Sequence, residues 1–398
     1  MSRITSLSRR IASISESMTI AISSRAKALK AEGADIIDFG LGEPDFDTPQ
    51  HIKLAAIEAI NQGCTKYTPA AGTPQLRQAV AEKFKKDNGL KYDPAQIFLS
   101  CGAKHSLFNI ILACCEEGDE VIIPTPYWLS YPEMVKAAGA ECVFLPTNEE
   151  NQFKISPDQL ANALTPRSRM LIINSPSNPT GSVYAASELG ALAAVVVDHT
   201  GIVILSDEIY EALVYDGVKH VSIAGMPGMF ERTVVVNGFS KAYAMTGWRL
   251  GYAAGHAEII KAAIRLQSHA TSGPCTISQA AGLAALTGDQ TCVEEMRMEF
   301  DRRRRYIVEG LNAINGITCV EPKGAFYALP SVSSFYGREI KGRKVNGSMD
   351  FAQLCLEKAK IAVVPGCAFG DDSVIRLSYA TSLDNIRRGL ARLADMLP

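Results

Sequence analysis

Where apolar runs of this 398-residue chain give way to segments containing Gly, Ser and Pro, they deliver residues fit for chemistry. The run Val234, Val235 and Val236 reads as a buried strand that leads to Lys241 in irregular chain, before a second apolar stretch opens at Leu250. Desolvation at such a place lowers an amine's pKa, which suits a covalent nucleophile or a general base. A stem packed on apolar neighbours with its ammonium in water explains an isolated strand-end lysine at least as well.

Three further strand ends carry groups of the same kind. Ser100-Cys101-Gly102-Ala103-Lys104-His105 enters a helix through small residues, and the free N–H groups of such a start favour an anion. Asn174-Ser175-Pro176-Ser177-Asn178-Pro179-Thr180-Gly181 reads as a turn, and Ser206-Asp207-Glu208-Ile209-Tyr210 puts Asp207 where an N-cap would stand. Each taken singly is a turn or a cap. All four on one sheet edge are harder to assign to turns, because ligands of open α/β sheets bind outside the carboxyl ends of the strands.

A scaffold must bring those ends together. From residue 97 the pattern alternates: strands over 97–100, 120–123, 141–145, 170–174, 202–206 and 233–236, with helical spacing between them. That alternation predicts an α/β fold with a mostly parallel central sheet. Helices over 257–268, 277–286 and 293–314 follow, the last long enough to connect two lobes. Short strands over 318–320, 325–328, 362–364 and 374–378, with helices over 349–360 and 383–396, predict a smaller α/β part. Ahead of the sheet come a helix over 21–31, a short strand over 36–39 and the turn Gly42-Glu43-Pro44-Asp45.

Composition narrows the function classes. With 47% hydrophobic and 21% charged residues, the chain can bury one large core and part of a second. A net charge of −2 with scattered basic residues gives no nucleic-acid or membrane-surface footprint. The one basic run, Arg302-Arg303-Arg304-Arg305, follows Glu294, Glu295 and Glu299 and predicts a solvated helix face with i, i+4 pairs. Ten cysteines lack a CxxC pair or metal spacing with the six histidines, which predicts reduced core residues and a cytoplasmic protein. The longest apolar stretch, 191–205, is broken by Asp198 and His199. The first 15 residues contain Ser and Arg but no acid, as a short leader would.

The ordered set Gly42-Glu43-Pro44-Asp45-Phe46, Lys66-Tyr67, Gly102-Ala103-Lys104, Pro126-Tyr127-Trp128, Asn178-Pro179-Thr180-Gly181, Asp207-Glu208-Ile209-Tyr210, Ser240-Lys241 with Arg249, and Arg376-Leu377-Ser378-Tyr379 is specific. It resembles the class I aminotransferases, fold-type I enzymes that use pyridoxal 5′-phosphate, and among them the bacterial aspartate aminotransferases. The likeness covers nearly the whole chain. It begins around Leu7-Ser8-Arg9-Arg10, so the leader reading is set aside.

The resemblance implies a large cofactor-binding domain at 50–300 and a small domain made from 1–49 and 301–398. It implies that Lys241 holds the cofactor covalently and, displaced by the substrate's amine, moves the α-proton. Asp207 is implied to pair with the cofactor's ring nitrogen, and Asn178 and Tyr210 to bond its ring oxygen. Trp128 would stack on the ring, while Gly102, Ala103 and Arg249 take the phosphate. Arg376 would clamp the substrate α-carboxylate with help from Asn178, Gly42 and Trp128. Tyr67 is implied to reach the neighbouring subunit's cofactor, hence a homodimer. Lys104, with Ser17 and Thr19, would receive a side-chain carboxylate.

The implied reaction moves the amino group of L-aspartate to 2-oxoglutarate by a ping-pong route, giving oxaloacetate and L-glutamate. An aromatic or prephenate aminotransferase is the alternative within the family, and a lyase using the same cofactor the next. Members that accept prephenate carry a lysine near the position of Ser15, which this chain lacks. Ala103 stands for the second glycine of the family's phosphate turn.

Overall fold

The computed structural model describes residues 7–199 and 201–398. The start of the 1–49 segment, residues 1–6, lies outside them. Strand β1 (Ile37–Asp38) precedes seven strands that hydrogen-bond into one sheet: β2 (Ile97–Ser100), β3 (Glu120–Thr125), β4 (Glu141–Pro146), β5 (Ser168–Asn174), β6 (Val203–Asp207), β7 (Thr233–Gly238) and β8 (Gly251–Ala254). Their order across the sheet is β2-β8-β7-β6-β5-β3-β4. Pairs within β7-β6-β5-β3-β4 are parallel, and β8 runs antiparallel to both β7 and β2. β2 therefore points the same way as β7.

Register fixes the edge that matters. Asn174 lies opposite Asp207, and Gly238 and Ser100 both lie opposite Gly251, so the four strand ends anticipated as a group share one edge. Val234, Val235 and Val236 are wholly buried, as expected of a strand covered on both faces. Burying each such side chain contributes about 1.5–3 kcal/mol. The apolar stretch from Leu250 is a strand as well, β8, which the sequence left unassigned.

Five short strands and a hairpin partner accompany the remaining helices: β9 (Tyr327–Ala328), β10 (Glu339–Ile340), β11 (Arg343–Lys344), β12 (Ile361–Ala362), β13 (Val364–Pro365) and β14 (Ile375–Ser378). β13, β14 and β9 form an antiparallel sheet, and β1 pairs with β12 in parallel. A core of Ile37, Phe39, Phe351, Ile361 and Ile386 thus ties the N-terminal strand to the C-terminal elements. The strand expected at 318–320 is only a single bridge from Thr318 to Ser331. The one expected at 362–364 is split between β12 and β13.

The helix Thr291–Asn312 spans 22 residues, and its basic run departs from expectation. Arg302 and Arg305 do pair on the surface with Glu299 and Asp301. Arg304, however, is fully buried and meets Asp216 at 2.8 Å, Asp301 at 2.7 Å and Glu321 at 2.9 Å. Three carboxylates around one guanidinium offset a desolvation that no single surface pair would. Periodicity sees a row of charges and cannot see partners that arrive from Asp216. The cysteines also divide: Cys114, Cys115, Cys319 and Cys355 are buried, whereas Cys275 and Cys367 are exposed. Among the described residues no helix is long and apolar enough to cross a membrane.

Candidate active site

The shared edge opens into a cavity of about 510 Å³. Its lining includes Gly42, Ala103, Lys104, Trp128, Asn178, Asp207, Tyr210, Lys241, Arg249 and Arg376. Residues from both ends of the chain and from four strand ends thus converge, although up to 334 positions separate Gly42 from Arg376. Gly102 lies immediately behind, where a Cβ would collide with the Arg249 guanidinium. Tyr67 stands apart, 96% exposed and outside the cavity.

Lys241 sits just past β7, and its ammonium donates to the Gly42 carbonyl at 2.5 Å. Burial pushes its pKa down to about 8; the Glu43 carboxylate opposes that shift, while Arg376 and Arg249 add to it. An amine poised near neutrality is a ready nucleophile and base. Asp207 ends β6 and is 4% exposed. Burial raises its pKa to about 6, against the hydrogen bond that Tyr131 donates to its Oδ2 at 2.7 Å. The Lys241 charge offsets only part of the burial of this carboxylate, and a cationic ring N–H would supply a further counter-charge.

The anion end is built from backbone. Gly102 holds φ at +85°, a conformation that suits glycine, and starts the helix Ala103–Cys114. No side-chain bond caps this helix, and Ala103 and Lys104 line the cavity where its first N–H groups need partners. Gly251 makes the approach possible, since a Cβ there would lie 2.6 Å from the Gly102 carbonyl carbon. Arg249 is itself left-handed at φ +50°, which costs about 1 kcal/mol and aims its fork back at this turn. Its Nη1 donates to the Thr246 carbonyl at 2.8 Å and its Nη2 to the Cys101 carbonyl at 3.3 Å.

Arg376, on β14, is 2% exposed. Its Nη1 donates to Asn178 Oδ1 at 2.9 Å and its Nη2 to the Gly40 carbonyl at 2.8 Å, while Nε has no partner. A buried cation without a carboxylate is costly, and its desolvation lowers the guanidinium pKa. An incoming carboxylate would relieve that. Asn178 is set by Asn174, whose Oδ1 accepts from the Asn178 N–H at 2.7 Å. At the mouth, Lys104 Nζ lies 4.8 Å from the Trp128 ring centroid, and burial lowers its pKa. Ser17 and Thr19 line the same mouth, and the buried Thr19 hydroxyl lacks a partner. The Ser15 N–H donates to Glu133 Oε2 at 2.8 Å.

Sequence reasoning missed two tyrosines here. Tyr131 falls in one of the helical stretches between the strands, and the residue that makes it functional, Asp207, lies 76 positions away. Tyr327 read as one position of a short strand, yet its hydroxyl meets that of Tyr210 at 2.7 Å. No local pattern distinguishes either from a packed aromatic.

The donor set fits pyridoxal 5′-phosphate: a buried amine for its aldehyde, a buried carboxylate for its ring nitrogen, and an uncapped helix start with Arg249 for its phosphate. Comparison with known proteins agrees. The family model described as "Aminotransferase class I and II" matches residues 34–393. An aspartate aminotransferase of Geobacillus stearothermophilus is 51% identical over 389 residues, covering 97% of this chain and 98% of that one. An aspartate/prephenate aminotransferase of Nitrosomonas europaea is 49% identical over 394 residues, covering 98% and 99%. The crystal structure of the aspartate aminotransferase from Rhizobium meliloti superposes with a TM-score of 0.95 at 45% identity, over 99% of this chain and 100% of that one. With its mostly parallel α/β sheet and its converging strand ends, this chain belongs to the class I and II aminotransferases, of fold type I.

Proposed function

We propose that the protein transfers the amino group of L-aspartate to 2-oxoglutarate, with pyridoxal 5′-phosphate seated on the sheet edge and covalently held by Lys241. The observation that carries this reading is the pairing of a buried, partnerless guanidinium edge at Arg376 with a second cation, Lys104, across one cavity. Two cations set apart suit a substrate with two carboxylates. The 1–49 and 301–398 segments would form the small domain bearing Arg376, and 50–300 the large domain bearing Lys241.

Bound pyridoxal phosphate supplies an aldehyde carbon that accepts amines and a ring that draws electron density from the substrate's α-carbon. Asp207 would face the ring nitrogen and keep it protonated, with Tyr131 fixing the carboxylate's orientation. Asn178 and Tyr210 would donate to the ring oxygen, and Trp128 would cover one face of the ring. Gly102, Ala103 and Arg249 would hold the phosphate. Arg376 takes the α-carboxylate as a fork and, with Asn178 and the Gly42 backbone, orients the α C–H toward Lys241. Lys241, freed as a neutral amine, would take that proton on its Nζ and hold it for return. Lys104, Ser17 and Thr19 receive the side-chain carboxylate.

Tyr67, exposed on one chain, would reach the phosphate of a second copy, making the enzyme a homodimer. The ten cysteines are all free thiols, four of them buried, which suits a reducing, cytoplasmic location.

The reading is tested by mixing the purified, cofactor-loaded protein with single amino acids and following the chromophore. L-Aspartate and L-glutamate should convert it at least about 100-fold faster per molar than phenylalanine, a difference of about 2.7 kcal/mol. Equal rates for phenylalanine would favour the aromatic alternative, and elimination products without amine transfer would favour a lyase.

A further inference from the structure

A second cavity, of about 340 Å³, adjoins the segment that carries Lys241. Gly238, Ala242 and Tyr243 line it, and Ile209 lines both this cavity and the one described above. Asn237 of β7 and Tyr252 of β8 are partners in register, so they share one face of the sheet, and both line the cavity. Asn237 is 2% exposed. Its Oδ1 accepts from the Gly238 N–H at 2.7 Å, and its Nδ2 has no partner among the described residues. A buried amide donor left in this way is destabilising until something accepts from it.

The donor calls for an acceptor atom, which a bare cation lacks. The charge around it disfavours a simple anion. Lys83 answers two carboxylates, Glu211 in direct contact and Asp87 at 3.9 Å, and so leaves one negative charge over. Glu294 is taken by Arg297 at 2.7 Å, and Lys86 is exposed, where water and salt screen it. Burial raises the phenol pKa of both Tyr243 and Tyr252, and the carboxylates of Glu211 and Asp87 push both further up. A neutral oxygen at Asn237, joined to a cationic group near Glu211 and Asp87, meets both demands. Tyr243 and Tyr252 add aromatic surface of the kind that quaternary ammonium groups contact, and Leu286 and Val293 add aliphatic surface for methylenes.

We propose that this cavity is a second binding site, for a small organic cation that carries a hydroxyl or carbonyl oxygen, with Asn237 Nδ2 donating to that oxygen and Glu211 and Asp87 facing the charge. The site is separate from the amine-transfer reaction proposed above and does not depend on it. Its occupant lies against Ala242 and Tyr243, the two residues that follow Lys241.

Choline is a suitable probe, since it has one hydroxyl and a fixed charge, and as a quaternary amine it cannot condense with an aldehyde. Isothermal titration of the holoenzyme with choline chloride should show one site per chain, unaffected by maleate, an unreactive dicarboxylate suited to the cavity of Arg376 and Lys104. Tetramethylammonium has the charge without the oxygen and should bind about 5-fold more weakly. Asn237→Leu should abolish that difference. Asp87→Asn should weaken both cations about 2- to 5-fold. Because Asp87 is exposed, this variant decides the matter even where Asn237→Leu does not fold. No saturable binding up to about 50 mM choline would overturn the site. So would equal binding of the two cations to wild type, a preference for choline that survives Asn237→Leu, affinities unchanged in Asp87→Asn, or choline displaced by maleate.

Discussion

The floor of the cavity and its mouth are built differently. At the floor, Asp207, Tyr210 and Arg376 are buried and each is held by a bond from a distant element: Tyr131, Tyr327 and Asn178. At the mouth, Lys104 makes a cation–π contact with Trp128 and no ion pair among the described residues, and the helix Met18–Ala31 that brings Thr19 buries only Ser23 and Ala26. Its N-cap, Ser17, makes no side-chain cap bond. Chemistry common to every substrate rests on rigid sheet ends that cost nothing to reorganise. Choice among substrates rests on lightly anchored elements, whose replacement leaves the floor intact.

Changes at the floor should therefore cost every substrate alike, and changes at the mouth should discriminate. Asp207→Ala removes the buried counter-charge; kcat for aspartate should fall on the order of 10³-fold or more, with phenylalanine affected equally in the same single-turnover assay. A loss confined to aspartate would erase the contrast. Arg376→Lys keeps the charge but loses the fork, and kcat/KM should drop on the order of 10²-fold for all amino acids. A change in KM alone, with kcat preserved, would mark the clamp as uniform binding rather than orientation.

Lys104→Ala belongs to the mouth. It should lower kcat/KM for aspartate about 10- to 100-fold and leave phenylalanine within about 3-fold, with thermal stability unchanged. Parallel losses would place Lys104 with the floor. The smallest effect is a titration. Lys241 has its pKa depressed by burial, so in cofactor-free protein its amine is free base, and open to acylation, from about pH 8 upward. A folded-state pKa below the unfolded value also means that this site destabilises the cofactor-free protein as pH falls from about 10.5 through 8. Acylation of Lys241 with a midpoint near 10.5 would show a solvated amine instead.

The same contrast governs what the amino-acid sequence discloses. Six of the seven strands of the central sheet are readable because they are short, largely apolar runs that end in turn residues or alternate with helical spacing. β8 escaped because Gly251, Tyr252, Ala253 and Ala254 show neither β-branching nor alternation, and small residues are needed there for close packing on Gly102. Asp207, Lys241 and Asn178 are legible because each stands at a strand end. Tyr131 and Tyr327 are not, because hydrogen bonds spanning 76 and 117 positions leave no local trace. Arg304 misled for the same reason: its burial depends on Asp216, 88 positions earlier.

The central claim is that Lys241 carries the cofactor. Reduction of the loaded protein with borohydride, followed by digestion and peptide mapping, tests it directly. The account predicts a single pyridoxyl adduct, on the peptide containing Lys241, and none after prior conversion with excess L-aspartate. An adduct on Lys104 or any other lysine, or no adduct at all, would contradict it.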